Sequence, residues 1–195
     1  IGFQRRQAKA FQSARDFIKA GNLGDIVQVD AQIHYNAPMR DSTIQEPPAS
    51  LDWDTWCGPS PKLPYHPNRG HNSWRLEKET GHGHLVDWGI HLIDTTRWIL
   101  NETMPTTVHA FGGLYQLKDH ITTPDTLTAN FEFSTCPVTW RHRLWGAKEY
   151  SRETNNGIFF FGEKGTVFAS DRRWVFMPNE KDAEKQMHEE RSDAG

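Results

Sequence analysis

Asp87 and His91 stand four positions apart in a largely apolar stretch. On a helix, that spacing puts both side chains on one face, where they can meet. A carboxylate beside an imidazole favours the charged ring and raises its pKa. The first turn of a helix also favours negative charge at Asp87. The chemistry such a pair supports is proton exchange near neutral pH, with His91 as general acid–base and Asp87 tuning it. A hydrogen-bonded core pair with no catalytic role fits the same residue types, and spacing alone leaves both readings open.

The element that must carry the pair is a helix over residues 83–100. At about 100° per residue, Leu85, Val86, Trp88, Ile90, Leu92, Ile93, Ile99 and Leu100 spread over a broad apolar arc. His84, Asp87, His91, Asp94 and Thr95 fall on one narrow polar stripe. A helix so apolar is expected to be largely buried, and a buried carboxylate needs a partner. The stripe is therefore expected to face a cleft.

Around this helix the sequence is rich in strand signals. Residues 25–35 alternate: Val27, Val29, Ala31, Ile33 and Tyr35 against Gln28, Asp30, Gln32 and His34. That pattern predicts a strand with one apolar face. Further strands are expected at 108–115, 126–133, 138–145, 157–161, 166–169 and 174–177, with Gly162-Glu163-Lys164-Gly165 as a hairpin turn. Phe11, Ala14 and Ile18 predict a helix over 7–20 that ends near Gly21 and Gly24. Ile1 to Phe3 reads as the end of a strand. Residues 36–80 lack periodicity and are rich in proline, yet they hold Trp53, Trp56 and Trp74. A segment this long and irregular is usually functional. The fold class expected is α+β, a broad, mainly antiparallel β-sheet with helices packed on one face. Residues 179–195 are charged and read as a polar tail or an exposed helix.

The composition narrows the function. The chain has 195 residues, enough for one domain with a real core, and a formal net charge of −3. Neither nucleic acid nor a membrane surface is indicated as a partner. No apolar run is long enough to cross a bilayer. The two cysteines, Cys57 and Cys136, form no disulfide framework. The sequence starts at Ile1 and indicates no compartment.

The motifs carry a family resemblance. Gly81-His82-Gly83-His84-Leu85-Val86-Asp87-Trp88-Gly89-Ile90-His91 resembles the Gly-x-Gly-x-Leu-x-Asp-x-x-x-His signature of the Gfo/Idh/MocA oxidoreductases. Trp74-Arg75 resembles that family's Trp-Arg pair. Trp56-Cys57-Gly58-Pro59 and Pro64-Tyr65-His66-Pro67 resemble a loop of one bacterial subgroup. Gly2-Phe3-Gln4-Arg5-Arg6 resembles the segment leaving the nucleotide domain, and Phe161-Gly162-Glu163-Lys164-Gly165-Thr166 a late hairpin. The resemblance spans roughly residues 1–178. It implies that residues 1–20 are the trailing edge of a nucleotide-binding domain and that 21–178 form the substrate-binding, catalytic domain. It also implies that Asp87 and His91 are catalytic, that Arg5 and Asp94 border the substrate, and that Trp74 and Arg75 meet the dinucleotide. His84, on the same stripe, is expected beside the substrate. The implied activity is hydride transfer between NAD or NADP and a sugar or polyol, in a homo-oligomer assembled through the sheet face.

The chain departs from the family in two ways. No Gly-x-Gly-x-x-Gly follows a strand, because Val86 stands where the third glycine would be. The family's catalytic lysine is absent as well. Its usual glycine after Gly81 is His82 here. His71, His82, His84 and His91 with Asp87 have the chemistry of zinc or manganese ligands, which would suit a lyase or hydratase acting on oxidised sugars. No metal-ligand spacing supports that, and hydrogen-bonding histidines lining a cleft are the expectation. A non-catalytic carbohydrate-binding or assembly module is the other alternative. Trp53 and Trp56 are read as loop anchors, and Arg141, His142 and Arg143 as part of a polar or interface sheet face.

Overall fold

A computed structural model describes residues 2–37, 41–149 and 151–189. Ile1, where a strand end was expected, lies outside them, and Gly2 and Phe3 are not in a strand. A single turn of 3₁₀-helix, Gln4–Gln7, leads into helix α1, Lys9–Lys19. Phe11, Ala14 and Ile18 are buried, as their spacing predicts.

Among the described residues, eight strands form one sheet: β1 Ile26–His34, β2 Thr107–Gly113, β3 Thr126–Glu132, β4 Pro137–Arg143, β5 Asn156–Gly162, β6 Gly165–Ala169, β7 Arg173–Pro178 and β8 Gln186–Glu189. Their spatial order is β2-β3-β4-β1-β5-β6-β7-β8. Only the β1–β4 pair is parallel. The expected α+β sheet is present, and β5 and β6 meet through the Glu163-Lys164 turn.

Helix α1 and helix α4, Ile90–Leu100, pack on the same face of this sheet. Val29, Ala31, Ile33, Ala129, Val138, Trp140, Ile158, Phe160 and Val167 face them, with Phe11 and Leu92 between. A fully buried side chain such as Phe11 or Phe160 stabilises the fold by roughly 1.5–3 kcal/mol.

Three expectations need correction. Val27 does not share the buried face: the β1–β5 register slips between Ile26 and Gln28, and Val27 is 58% exposed. An extra residue in one strand turns its side chain out of the alternation. The polar face of β1 is not uniform either: Gln28 is exposed and Asp30 half-buried. Gln32 and His34 are buried. Arg141 donates to Gln32, and Glu149 lies 3.2 Å from His34 Nε2. Burial, and then Arg143, pull the His34 ring down to about 4, so it is neutral. Last, the polar tail contains β8, which pairs with β7 and stacks His188 on Trp174. Edge pairing satisfies backbone groups whatever the side chains are, so a charged composition hid it.

Candidate active site

The site begins with two glycines. A Cβ at Gly81 would lie 2.3 Å from Arg75 Cα and 2.5 Å from the Trp74 carbonyl oxygen. At Gly83, with φ +87°, a Cβ would lie 2.8 Å from Thr123. The missing side chain at 81 lets the backbone approach the Trp74-Arg75 turn this closely, and the one missing at 83 lets it approach Thr123. Gly83 N–H donates to the Arg75 carbonyl at 2.9 Å and closes the contact. His82, between the glycines, is held at φ +57°. The Gly-x-Gly pair is therefore a packing device that sets Trp74-Arg75 against the start of the long helix.

That helix opens with a π-helical turn, Leu85–Gly89, before α4. A π turn inserts one residue and rotates the helix on its N-terminal side relative to the helix on its C-terminal side. The single polar stripe expected from a regular helix is consequently divided. His84 points beneath Tyr35 and Trp88, Asp87 meets Arg75, and Asp94 pairs with Arg6. Thr95 donates to the His91 carbonyl at 2.8 Å. The helix is also less buried than its apolar arc suggests. Val86 is 50% exposed, and Leu85, Ile90, Ile93, Phe3 and Phe131 border a groove of about 370 Å³.

Asp87 faces a cavity of about 310 Å³. Tyr35, Arg75, Trp88, Asn68, Asn72 and His120 are among its lining residues, with Leu76, Leu117 and Ile121 as apolar wall. Burial pushes the Asp87 carboxyl above its ordinary pKa, while Arg75 and His91 oppose the rise. Arg75 Nε lies 3.5 Å from Asp87 Oδ1, and its guanidinium stacks 4.4 Å over the Trp74 ring. Asp87 can accept a hydrogen bond from a ligand hydroxyl, and Arg75 favours its ionised form against the effect of burial.

Two clamps keep the cavity walls together. Glu77, buried, accepts from Arg69 at 2.9 and 3.1 Å and from Thr122 Oγ1 at 2.9 Å. Thr123 Oγ1 donates to the Leu76 carbonyl at 2.7 Å. Asp125, fully buried, accepts the backbone N–H groups of Tyr115, Gln116 and Leu117 at 3.1, 2.8 and 2.9 Å. Burial alone would raise its pKa; those three donors hold it below the ordinary carboxylate range. The irregular segment predicted to be functional supplies short helices α2, Trp53–Cys57, and α3, Pro67–His71. Trp53 stacks on Trp56 at 4.3 Å and donates to the Leu63 carbonyl at 2.7 Å. These two rings anchor the loop.

The remaining expected residues lie around the cavity, outside its lining. His91 is half-buried, and its Nδ1 lacks a partner among the described residues. Arg5 is buried against Asp171 at 2.7 Å and over the Trp88 ring at 5.5 Å. Arg6 takes both oxygens of Asp94, which is therefore already neutralised. Trp74 lies under Arg75. His84 is sealed at 1% exposure and held neutral by burial, then by His142, at about 3. A side chain so placed cannot touch a ligand in the cavity. Among the described residues, no three His, Cys, Asp or Glu side chains gather as metal ligands. Sequence reasoning missed Tyr35, Asn68, Asn72 and His120. Tyr35 stood only in a strand pattern, and the others lie in segments without periodicity.

The comparisons agree with this architecture. The profile of the GFO/IDH/MocA C-terminal domain matches residues 11–168. An oxidoreductase from Thermotoga maritima is 19% identical and superposes with a TM-score of 0.63, covering 98% of this chain and 47% of that one. An inositol dehydrogenase homologue from Azotobacter vinelandii, solved with NAD+, is 14% identical with a TM-score of 0.64, over 96% and 42%. A super-repressor mutant of Gal80p from Saccharomyces cerevisiae is 15% identical with a TM-score of 0.67, over 98% and 46%. The chain thus spans less than half the length of these structures. At such identities the likeness establishes the fold. No curated protein matches the sequence. With the family profile covering most of its length, the chain belongs to the Gfo/Idh/MocA family through that family's C-terminal domain.

Proposed function

We propose that this chain is the substrate-binding and catalytic part of an NAD(P)-dependent sugar or polyol dehydrogenase. The observation that carries the reading is the cavity at the head of the helix, with Asp87 in its wall and Arg75 pairing it. Its polar lining is mostly amide, hydroxyl and imidazole, the groups that recognise a neutral polyhydroxy compound. Among the described residues, its one lining arginine, Arg75, is paired with Asp87. A lining of neutral hydrogen-bonding groups favours the dehydrogenase over a lyase or hydratase acting on an oxidised sugar. The inositol dehydrogenase homologue, also solved with NADH and myo-inositol, gives the reading a precedent on the same fold. The Gal80p structure shows that the fold alone does not decide function, which must be read from the site.

In this reading Asp87 accepts a substrate hydroxyl proton in a hydrogen bond and orients the carbon to be oxidised. His91, next along the helix, takes the proton released. Trp74 and Arg75, partly exposed at the edge of the cavity, fit contact with the nicotinamide end of a dinucleotide. No glycine-rich strand–helix turn here could hold its pyrophosphate, so that grip belongs to a nucleotide-binding domain outside these residues. The bound nicotinamide supplies the hydride acceptor.

The test is NAD(P)H formation by the full-length gene product with myo-inositol, glucitol and glucose. Turnover is expected with at least one, and about 100-fold less with Asp87→Asn or His91→Ala. Wild-type turnover unchanged in both variants would refute the assignment.

A further inference from the structure

We infer that Tyr35 is a specificity-determining residue of this site, its phenol donating a hydrogen bond to a second oxygen of the substrate that Asp87 holds. The inference rests on the dehydrogenase reading above and extends it to a residue absent from the signature that suggested it.

Tyr35 directly follows β1, and its backbone N–H donates to the Arg143 carbonyl at 3.2 Å. The centre of the sheet thus fixes where its ring begins. The ring then lines the same cavity as Asp87, Arg75 and Trp88. Behind it stands a buried column. The Tyr35 ring meets His84 edge-on at 5.1 Å, and His84 meets His142 edge-on at 5.3 Å. His142 is locked in turn: Trp140 Nε1 donates to its Nδ1 at 3.1 Å, and its Nε2 lies 3.1 Å from the Pro124 carbonyl. A carbonyl can only accept, so Nε2 carries the hydrogen and Nδ1 is the acceptor. Both histidines are held neutral by burial.

This column gives His84 a role that its sequence position concealed. It does not touch the ligand; it is a positioning residue that backs the Tyr35 ring. At the other end, the phenol has no hydrogen-bond partner among the described residues. Burial, and then the nearby Asp87 charge, push it up to about 12. It therefore keeps its proton across the physiological range and acts as a donor. Asp87 ionised is an acceptor only. The wall thus presents one acceptor and one donor, the pattern that engages two oxygens of one polyol rather than a lone alcohol.

Tyr35→Phe removes the donor and keeps the ring that packs on His84, so folding should survive. The experiment uses the full-length protein and compares wild type and Tyr35→Phe with myo-inositol, glucitol, glucose and the single-deoxy analogues of whichever binds. Binding is followed by calorimetry and turnover by NAD(P)H. Loss of one hydrogen bond should raise KM about 3- to 10-fold, with kcat changed less than twofold. For one deoxy analogue the penalty in wild type should vanish in Tyr35→Phe, because both changes remove the same bond. If wild type binds and turns over substrate while Tyr35→Phe shows the same KM and the same deoxy penalties, the inference fails and the dehydrogenase reading stands. If wild type neither binds nor oxidises any of these compounds, both fail together.

Discussion

Asp125→Ala should loosen one wall of the cavity at a cost that can be worked from the geometry. The carboxylate receives three backbone N–H groups from residues 115–117, and this segment leads into Leu117, His120 and Ile121 of the cavity. Leu117 is buried, so its N–H would be left without a partner, costing about 1–3 kcal/mol. Tyr115 and Gln116 are exposed and can turn their N–H groups to water, costing about 0.5 kcal/mol each. The sum is about 2–4 kcal/mol, or roughly 5–15 °C in Tm for a chain of this size. The pH dependence adds a second signature. The folded carboxyl titrates below its unfolded value of about 3.9. Its ionic stabilisation is therefore fully present above that value and is lost as pH falls through the folded pKa. Thermal melts of wild type and Asp125→Ala at pH 7, and urea titrations from pH 5 down to the acid limit of folding, are the assay. The deficit should be full at pH 7 and should narrow below about pH 4. A variant melting within 1–2 °C (roughly 0.5 kcal/mol) of wild type at pH 7 would refute the clamp. So would a deficit that is constant down to the acid limit.

His82 is held at φ +57° between two glycines, where a side chain is strained by about 1–2 kcal/mol. Glycine relieves that but loses more entropy on folding, so His82→Gly should raise stability by up to about 1 kcal/mol in urea melts, and His82→Val should lower it. Calorimetry of this 195-residue chain with NAD and NADP should show no micromolar binding, because Trp74 and Arg75 cannot replace a pyrophosphate grip; a micromolar Kd would overturn that division of labour. The sheet face away from the helices carries Arg141, Glu149, Phe159, Phe161 and Met177 around a shallow hollow. This mixture of aromatic and charged groups fits a second copy of the chain. Light scattering at high concentration should give a multiple of the monomer mass, and Phe161→Glu should reduce it; a strictly monomeric wild type would count decisively against the interface.

Local physics makes much of the fold legible in the sequence. Alternation in β1 from Gln28 onward and in β3, the helical recurrence of Phe11, Ala14 and Ile18, and the tight turn at 162–165 are each set by residues near one another in the chain. They persist because the tertiary structure demands nothing different there. Asp87 stands out for the same reason, as a charge in an apolar helix that needs a partner. The identity of that partner is not legible. Arg75 reaches it because Gly81 and Gly83 permit backbone contact across the loop, a steric fact that depends on what lies opposite them. The π turn at 85–89 could not be read from a wheel that assumes one period, and it separates His84 and Asp94 from the wall that holds Asp87. The bulge at Val27 and the edge strand β8 are settled by pairing with distant strands, to which composition is blind. Tyr35 shows the difference most clearly. In sequence it is the last apolar residue of an alternating strand. Only the packing of residues 68–76 and 117–121 beside the end of β1 turns that position into the wall of a cavity, with a neutral histidine pair behind its ring.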